Sequence, residues 1–384
     1  MKKVIIIGAG ASGVLTAIYL KKYINDIDVI VLEQNNTALK KLTATGNGRC
    51  NLSNKNIDIK HYEGQNIHKI KHILDYDIVN EFYDLGILTK YQGELLYPRS
   101  EQAVTVKNCL LNKAESLGVL FLYEQIVQSV DYSQSIVHTN KQDFHYNELV
   151  FAMGSPAGKL SGTTFDRYKI FEKLNLKVNP LIPSLVQMKT NPAFPKLKGV
   201  RVKGTFTLMD KMNTFQEKGE LLFTDDGVSG IAVMLLSRYF KGEKMTLEID
   251  MFDDYSEKEL FKMIDERLNQ DYNHFYDGLV NNKLASFLEK RNLKTTKDIV
   301  NALKHFKVEV IGLRDESYAQ VLRGGLALEE VDSSLEIMKY PHLYAVGEVL
   351  DVAGDCGGYN LHFAFASGYT VAKAIERKYY AENK

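Results

Sequence analysis

The sequence predicts an α/β fold in which both ends of the chain build one domain around a parallel β-sheet, with a second domain inserted between them. Three observations support this prediction. An apolar segment near the start runs into a glycine-rich turn and a helical pattern. A second apolar segment meets a helical pattern through glycines near the end. The middle of the chain alternates strand patterns with charged helices and contains no such turn.

The turn near the start has the spacing of a nucleotide-binding loop. Residues 4–7 are apolar, Gly8-Ala9-Gly10-Ala11-Ser12-Gly13 follows, and residues 14–20 have a helical pattern. In such a turn the first glycine permits a tight bend, the second admits a pyrophosphate, and the third lets helix and strand pack closely. Glu33 follows the next apolar run, about 20 residues on, where a carboxylate binds a ribose hydroxyl. This pattern predicts a Rossmann-type dinucleotide-binding unit.

The alternatives are a chance glycine-rich turn and a signal peptide, the latter because Lys2-Lys3 precedes the apolar stretch. The glycines and Ser12 interrupt that stretch, and no small-residue cleavage site follows cleanly. The nucleotide-binding interpretation is therefore favoured.

The remaining elements follow from local patterns. In the first part we predict a loop over 40–52, one or two amphipathic helices over 67–87, another over 102–117, and strands over 118–122, 126–138 and 144–152. In the insertion we predict strands over 184–188, 200–209, 215–223 and 244–249, a helix over 230–240, and charged helices over 256–305 with Leu260, Ile264 and Leu268 as a buried stripe. A strand over 343–348 and a helix over 361–379 complete the chain. The predicted domains are 1–185 with 319–384, and the inserted 186–318.

Composition narrows the functional classes. The 384 residues carry 48 basic and 48 acidic side chains, so no general field attracts nucleic acid or anionic lipid. The three cysteines are widely spaced, which indicates a reducing cytoplasm and neither a disulfide framework nor a metal site. No apolar run approaches the roughly 20 residues of a membrane helix. We therefore expect a cytoplasmic protein whose partners are small molecules, with no nucleic acid and no membrane.

Together the motifs resemble a bacterial family of FAD-dependent oxidoreductases often labelled aminoacetone-oxidase-like, which includes a proposed bile-acid reductase branch. The matching segments are GAGASG at 8–13, LKKLTATGNGRCNLSN at 39–54, GELLYPRS at 93–100, LVFAMG at 149–154, LLFTDDGVSG at 221–230 and YAVGEVLDVAGDCGGYNL at 344–361. They span nearly the whole chain in the family's order. The resemblance implies one FAD in a two-part, glutathione-reductase-like Rossmann-type domain, with a β-barrel-like and helical insertion.

The resemblance also implies which residues contact FAD. The diphosphate would lie at Gly8, Gly10, Ala11, Ser12 and Gly13. The adenosine would contact Glu33, Gln34 and the backbone of Val127, with Lys41 beside Glu33 and with Ala152 and Gly154 at a strand end. The ribityl and flavin side would be lined by Thr45, Gly46, Gly48, Arg49, Cys50, Asn51, Gly347 and Glu348. The pyrimidine end would meet a helix N-terminus built from Asp355, Gly357, Gly358, Tyr359, Asn360 and Leu361. Backbone N–H groups there would stabilise the negative charge of a reduced flavin. We expect Gly10→Ala or Gly13→Val to abolish retention of FAD.

For several single residues the sequence allows two interpretations. Cys50 and Cys356 are interpreted as small buried residues rather than redox-active thiols. Glu348 and Asp355 are interpreted as hydrogen-bonding acids rather than general acids. Arg49 would neutralise the pyrophosphate or, less favoured, bind an anionic substrate. His362, where the family commonly has Gln, is either a site residue or a histidine satisfied at the helix start. Departures from the family pattern at Met153, Ser155, Leu322 and Arg323 affect adenosine and inter-domain contacts. Arg323 and His362 could also change what lies over the flavin, so the substrates of relatives are a poor guide.

The leading functional prediction is a flavoenzyme that moves a hydride at flavin N5 to or from a small organic substrate. The chain has no second glycine-rich strand–turn–helix, so electrons would come from transiently bound NAD(P)H or pass to oxygen. The sequence leaves reductase and oxidase open. The alternatives are an RNA-modifying flavoprotein and a non-catalytic FAD-binding sensor. Catalytic residues, substrate and oligomeric state are not predicted.

Overall fold

The computed structural model describes residues 2–160, 162–270 and 272–382. Within them the strands are β1 (Lys2–Ile7), β2 (Ile27–Leu32), β3 (Ser53–Asn54), β4 (Tyr62–Glu63), β5 (Thr89–Gln92), β6 (Leu95–Pro98), β7 (Leu120–Leu122), β8 (Val127–Asp131), β9 (Ile136–Thr139), β10 (Asp143–His145), β11 (Glu148–Phe151), β12 (Val178–Ser184), β13 (Met188–Asn191), β14 (Arg201–Met209), β15 (Thr214–Phe223), β16 (Gly227–Ser229), β17 (Met245–Asp250), β18 (Phe306–Leu313), β19 (Val321–Leu326), β20 (Leu343–Ala345) and β21 (Ala353–Gly354). The α-helices are α1 (Ala11–Tyr23), α2 (Ile78–Asp84), α3 (Ala103–Ser116), α4 (Lys169–Lys173), α5 (Ile231–Ser237), α6 (Glu257–Leu268), α7 (Asn282–Glu289), α8 (Thr296–Lys304) and α9 (Tyr359–Glu382). The chain divides into two units, Met1–Ile182 with Val321–Lys384, and Pro183–Gln320.

The first unit is built on a parallel five-stranded sheet in the order β20-β11-β1-β2-β7. Its central strand carries Val4, Ile5 and Ile6 with no exposed surface, as expected of a parallel strand covered on both faces. Strand β20 belongs to the C-terminal segment, so both ends of the chain share this sheet. Smaller sheets accompany it in the orders β10-β9-β8, β3-β6-β5, β21-β4 and β12-β19.

Helices from the two chain ends also pack against each other. At Gly368 of α9, an added Cβ would lie 2.7 Å from the carbonyl oxygen of Ser12 and 2.9 Å from Thr16 Oγ1. Glycine at this position therefore allows α9 to approach the first turns of α1. This contact brings the end of the nucleotide loop, at Ser12, next to the C-terminal segment.

The second unit is a closed barrel in the order β13-β16-β15-β14-β17-β18, accompanied by α5–α8. Alternate residues of β14, such as Phe206 and Leu208, are buried in its core. A capping box begins α6, in which the Ser256 hydroxyl accepts from the Glu259 amide and the Glu259 carboxylate accepts from the Ser256 amide. The predicted fold class, a Rossmann-type domain with an inserted barrel-like and helical part, is confirmed.

Some local predictions were wrong. The strand predicted over 184–188 falls between β12, which ends at Ser184, and β13, which begins at Met188. Leu185 has a φ of 49°, a left-handed conformation that interrupts an extended chain. Leu268 is 37% exposed because it lies in the last turn of α6, whereas Leu260 and Ile264 are buried. Strand β18, which closes the barrel, was not predicted. Among the described residues, no helix has both the length and the apolar character needed to cross a membrane.

Candidate dinucleotide-binding site

The nucleotide loop contains glycines of two kinds. Gly8 has a φ of 108°, and an added Cβ would lie 2.5 Å from the Ala152 carbonyl oxygen. At Gly13 an added Cβ would lie 2.1 Å from the Gly8 carbonyl oxygen. Both are required by the packing of the polypeptide on itself. Gly10 differs, because its φ of −78° suits any residue and the nearest described atom to an added Cβ is the Ala152 carbonyl oxygen at 3.9 Å. The space in front of Gly10 is therefore available to a ligand.

The helix that begins after Gly10 has amide donors without acceptors in the helix. The first hydrogen bond of α1 runs from the Val14 amide to the Gly10 carbonyl at 3.0 Å. The amides of Ala11, Ser12 and Gly13 therefore have no acceptor within the helix. A helix start with such donors is suited to an anion such as a diphosphate.

Glu33 lies buried at the end of β2, beside this loop. Its Oε2 accepts from the Ala9 amide at 2.8 Å, and its Oε1 accepts from the amide and the side-chain nitrogen of Asn35 at 2.8 and 2.7 Å. An ionised carboxylate offers about four acceptor sites. Three bonds leave capacity for a further donor, such as a ribose hydroxyl.

The other residues predicted for the adenosine side lie close to Glu33 in the fold. The Gln125 amide donates to the Glu33 carbonyl at 2.9 Å, which leads the chain into β8 and Val127. The Val127 carbonyl accepts from Arg167 Nη1 at 3.1 Å. Gln34 Nε2 lies 3.5 Å from Thr163 Oγ1, which itself donates to the carbonyl of Met153, the residue after Ala152.

Lys41 pairs with an acid from the other end of the chain. Its ammonium donates to Glu348 Oε2 at 2.6 Å, across 307 residues of sequence. The Leu39 amide donates to the Ala9 carbonyl at 2.8 Å, which holds this segment against the nucleotide loop. Lys41, two residues further on, then lies within reach of the oppositely charged Glu348. Sequence order alone could not show this pairing.

The turn at Gly347 and Glu348 joins the C-terminal segment to the nucleotide loop. Gly347 has a φ of 69°, and an added Cβ would lie 2.6 Å from Ser12 Oγ. Tyr168, which the sequence did not single out, donates its buried hydroxyl to the carbonyls of Gly154 and Glu348 at 3.0 and 3.2 Å. Tyr168 belongs to no sequence motif, so its role could be found only from the fold: it hydrogen-bonds the strand end at Gly154 to the turn at Glu348.

The segment 45–51 is a tight, partly left-handed turn. Gly46, Asn47, Gly48 and Cys50 all have φ between 56° and 82°. Cys50 is fully buried, and burial raises the pKa of its thiol to about 11, which an interaction with Thr45 partly offsets. A neutral buried thiol agrees with the packing interpretation of this residue.

The charge of Arg49 is already paired. Its Nη2 lies 2.8 Å from Glu101 Oε2 and also donates to Gln92, and its guanidinium lies 4.4 Å from the centre of the Tyr97 ring. In this arrangement Arg49 anchors the turn to the strands β5 and β6. Neutralisation of a pyrophosphate by Arg49 would require these contacts to open.

The start of α9 is packed against the segment that follows the turn. Gly357 and Gly358 have φ of 126° and 98°, and an added Cβ at Gly358 would lie 2.5 Å from the Ser53 carbonyl oxygen. Asn54 Nδ2 donates to the Gly357 carbonyl at 3.1 Å. The His362 amide makes the first bond of the helix, to the Gly358 carbonyl at 3.0 Å. The amides of Tyr359, Asn360 and Leu361 are therefore without acceptors inside α9.

One acceptor beside this helix start is unsatisfied. Asn51 Oδ1 is shielded from solvent and has no hydrogen-bond partner among the described residues. It lies 2.8 Å from the position of a Cβ on Gly358. A buried acceptor without a donor is costly, and an N–H group of a ligand would remove that cost.

Asn360 and Asp355 take structural positions at the same helix start. The Asn360 side chain accepts from the Gly354 amide at 2.7 Å and donates to the Gly354 carbonyl at 2.8 Å. Asp355 Oδ2 lies 2.9 Å from Nδ1 of His61, a residue that the sequence did not single out. These side chains fix the loop that leads into α9.

His362 is satisfied inside the protein. Its ring is buried, with Nδ1 2.8 Å from Ser53 Oγ and Nε2 3.0 Å from the Leu74 carbonyl oxygen. Burial lowers the pKa of this imidazole, so it is neutral. Nε2 then carries the proton that Leu74 accepts, and Nδ1 accepts from the Ser53 hydroxyl. The geometry favours the satisfied histidine over a site residue.

The residues fit a dinucleotide with a charged centre and a ring end that offers N–H groups. The first unit contains all of the features that suit such a ligand. They are two helix starts whose amides lack helical acceptors, the open space at Gly10, a further acceptor site on Glu33 and the unsatisfied acceptor of Asn51. Together they define the nucleotide-binding core of a Rossmann-type flavoprotein.

Comparison with known proteins identifies the family. The model of the HI0933-like protein Rossmann domain matches residues 2–374, and the chain belongs to this family. Over 98% of its length it is 30% identical to the whole of the 3-dehydro-bile acid delta(4,6)-reductase of Clostridium scindens. The ribosomal RNA dihydrouridine synthase of Haemophilus influenzae is 26% identical, over 97% of this chain and 98% of that protein.

A solved structure shares the fold. The 3-ketosteroid-delta4-(5alpha)-dehydrogenase of Rhodococcus jostii RHA1 aligns with 98% of this chain and 97% of its own, with a TM-score of 0.52 and 14% identity. At that identity the similarity concerns the fold alone. The family and these relatives confirm the predicted class of enzyme, a flavin-dependent oxidoreductase with an FAD-binding Rossmann domain. The label aminoacetone-oxidase-like stays a prediction.

Proposed function

We propose that this chain is an FAD-dependent reductase that adds hydrogen across a carbon–carbon double bond conjugated to a carbonyl in a small organic molecule. The observations that carry the FAD part lie in one unit: amides without helical acceptors at the starts of α1 and α9, the open space at Gly10 and the unsatisfied acceptor of Asn51. The names of the two relatives support the reaction class. One is named a 3-dehydro-bile acid delta(4,6)-reductase and the other a ribosomal RNA dihydrouridine synthase. In a 3-oxo bile acid with 4,6 double bonds and in a uracil ring, the carbon–carbon double bond that can be reduced is conjugated to a carbonyl.

The residues of this chain would divide the binding of FAD among them. The amides of Ala11, Ser12 and Gly13 would hold the diphosphate, and Glu33 would accept from the adenosine ribose. The amides at the start of α9 would face negative charge at the pyrimidine end, next to Asn51. Bound FAD, once reduced, supplies a hydride at N5. The protein contributes orientation, charge stabilisation and control of access.

Electrons for the reaction would come from NAD(P)H that binds transiently, since the chain has one nucleotide loop. The test is an anaerobic titration of the purified yellow protein with NADPH and then with cyclohexenone or androstenedione. We expect NADPH to bleach the flavin and the conjugated ketone to restore its colour. A reduced flavin that only oxygen reoxidises would support an oxidase instead. A protein inert to nicotinamides, ketones and oxygen would be a sensor, and a colourless protein that takes up no FAD would contradict the proposal.

A second candidate is the same reduction carried out on uracil bases of ribosomal RNA. It is favoured by the similarity to the dihydrouridine synthase of Haemophilus influenzae over nearly the full length of both chains. The equal numbers of acidic and basic residues argue against it, because RNA binding depends strongly on positive charge. The dihydrouridine content of ribosomal RNA from cells lacking the gene decides between the two. Loss of dihydrouridine that the restored gene reverses would establish the RNA substrate, and unchanged content would leave the small molecule.

A further inference from the structure

A histidine and a carboxylate are brought together beside the start of α9. Strands β4 and β21 pair antiparallel, with Tyr62 opposite Gly354 and Glu63 opposite Ala353. His61 precedes β4 and Asp355 follows β21, so this short ladder places side by side two residues that are 294 positions apart. The Asp355 amide extends the ladder by donating to the His61 carbonyl at 2.9 Å. The imidazole Nδ1 and Asp355 Oδ2 are 2.9 Å apart.

The imidazole of His61 is held in one orientation. Its ring stacks on that of Tyr359, with centroids 4.5 Å apart and an interplanar angle of 24°. Tyr359 is itself fixed, because its carbonyl accepts from the Tyr62 hydroxyl at 3.0 Å. The Asn360 side chain donates to the carbonyls of Gly354 and Asp355 at 2.8 and 3.3 Å. The pair is thus tied to the residues at the start of α9.

This arrangement leaves the second nitrogen of the His61 ring, Nε2, to exchange a proton with a bound molecule. A carboxylate at Nδ1 accepts a hydrogen bond through the proton on that nitrogen and so fixes the direction in which Nε2 points. In the described part of the chain Nε2 makes no hydrogen bond, and the side chain is 25% exposed. A proton held at Nε2 is therefore accessible to a bound molecule. The chain has another His–Asp pair, His138 and Asp143, 2.8 Å apart on the β9–β10 hairpin, which offers a matched control.

We propose that His61 is the acid that protonates the substrate, and that Asp355 is a positioning residue for it; the inference rests on the proposed function. In reduction of a conjugated ketone, the β-carbon accepts the hydride and the double-bond electrons move to the carbonyl oxygen to give an enolate. The α-carbon of the enolate then takes the proton from His61 Nε2, so that an N–H bond breaks and a C–H bond forms. The neutral imidazole regains its proton from water. The net change is one hydride from reduced FAD and one proton from solvent.

The test separates the two half-reactions in the holoenzyme. His61→Gln removes the acid, His61→Phe keeps a ring on Tyr359, and His138→Gln is the control. We expect all three variants to keep FAD and to be reduced by NADPH at the wild-type rate. Reoxidation by cyclohexenone should slow by roughly 100- to 10,000-fold in both His61 variants, the usual contribution of a general acid. Asp355→Asn should slow it less and should change the imidazole nitrogen NMR signals of His61.

A second measurement requires no electron transfer. The oxidised protein in deuterated water should exchange the α-hydrogens of cyclohexanone for deuterium, and both His61 variants should lose this exchange while His138→Gln keeps it. If wild-type protein is reoxidised by cyclohexenone and the His61 variants match it, this inference is overturned and the proposed function stands. If no conjugated ketone reoxidises the reduced wild type, the proposed function is overturned and the proton-transfer step with it.

Discussion

Replacement of Gly10 by alanine is the most direct test of the candidate site. In most glycine loops such a change damages the protein and the ligand site together. Here the backbone of Gly10 has a φ of −78° and a ψ of −175°, which alanine adopts without strain. The new methyl group would meet no described atom closer than 3.9 Å. The substitution therefore acts on whatever occupies the space beyond the loop.

The expected magnitudes differ between folding and binding. Alanine for glycine at a helix N-cap changes stability by less than about 1 kcal/mol. A methyl group forced against a diphosphate costs about 1–3 kcal/mol of binding energy, as overpacking does in a protein core. That range corresponds to an FAD dissociation constant raised roughly 5- to 150-fold. Gly13→Ala behaves differently, because its methyl would lie 2.1 Å from the Gly8 carbonyl oxygen. We expect Gly13→Ala to lose about 3 kcal/mol of folding stability.

The assay is a fluorescence titration of apoprotein with FAD, accompanied by thermal unfolding without FAD. Gly312→Ala provides the control, since that glycine in β18 also has open space around an added Cβ. Gly10→Ala should match Gly312→Ala in unfolding temperature but bind FAD more weakly. A Gly10→Ala protein that binds FAD as tightly as the wild type would refute the placement of the diphosphate at this loop.

Three further predictions follow from buried polar groups. Asp351 accepts from the Gln65 and Gly324 amides and from Asn179 Nδ2 at 3.0, 3.0 and 2.7 Å, so Asp351→Ala should cost about 3 kcal/mol in urea unfolding, and an unchanged midpoint would contradict this. Burial raises the pKa of the Glu148 carboxyl, so the folded protein binds this proton more tightly than the unfolded chain does. The protonated carboxyl therefore adds to folding stability at low pH, and this stability is lost as the pH rises through the raised pKa. Melting temperatures from about pH 4 to about pH 8 should therefore fall less steeply in Glu148→Gln than in the wild type. Burial also keeps the Cys50 thiol protonated, with a pKa of about 11, so iodoacetamide should label it only after unfolding, as mass spectrometry can show.

Local sequence patterns were sufficient for elements whose signal is contained within them. The unit from β1 to α1 was predicted because the apolar run, the glycine spacing and the helical pattern lie within one short segment. The barrel strands β14 and β15 were predicted from alternation for the same reason. Strand β18 was missed although Phe306, Val308 and Val310 alternate with polar residues, because this short run follows directly on the charged helical segment that ends with α8. Prediction of a strand at Leu185 failed because a single left-handed residue leaves no signature in hydrophobicity.

The polar contacts of the site were less predictable. Lys41 with Glu348, Ser53 with His362 and His61 with Asp355 each join residues about 300 positions apart. None of these pairs has a spacing that could be found by inspection of the sequence. They arise because β20, β21 and α9 return to the N-terminal segment, a consequence of topology rather than of local propensity.

The glycines of the candidate site serve two purposes that a motif does not separate. At Gly8, Gly13 and Gly358 an added Cβ would lie within 2.5 Å of a backbone carbonyl oxygen. These positions need glycine for the polypeptide to pack on itself, whether or not FAD is bound. Gly10 has no such neighbour in the part of the chain that the structure describes, so a bound molecule explains its glycine better than packing does. Loss of FAD in a Gly13 variant would therefore report on folding, whereas the same loss in a Gly10 variant would report on contact with the dinucleotide.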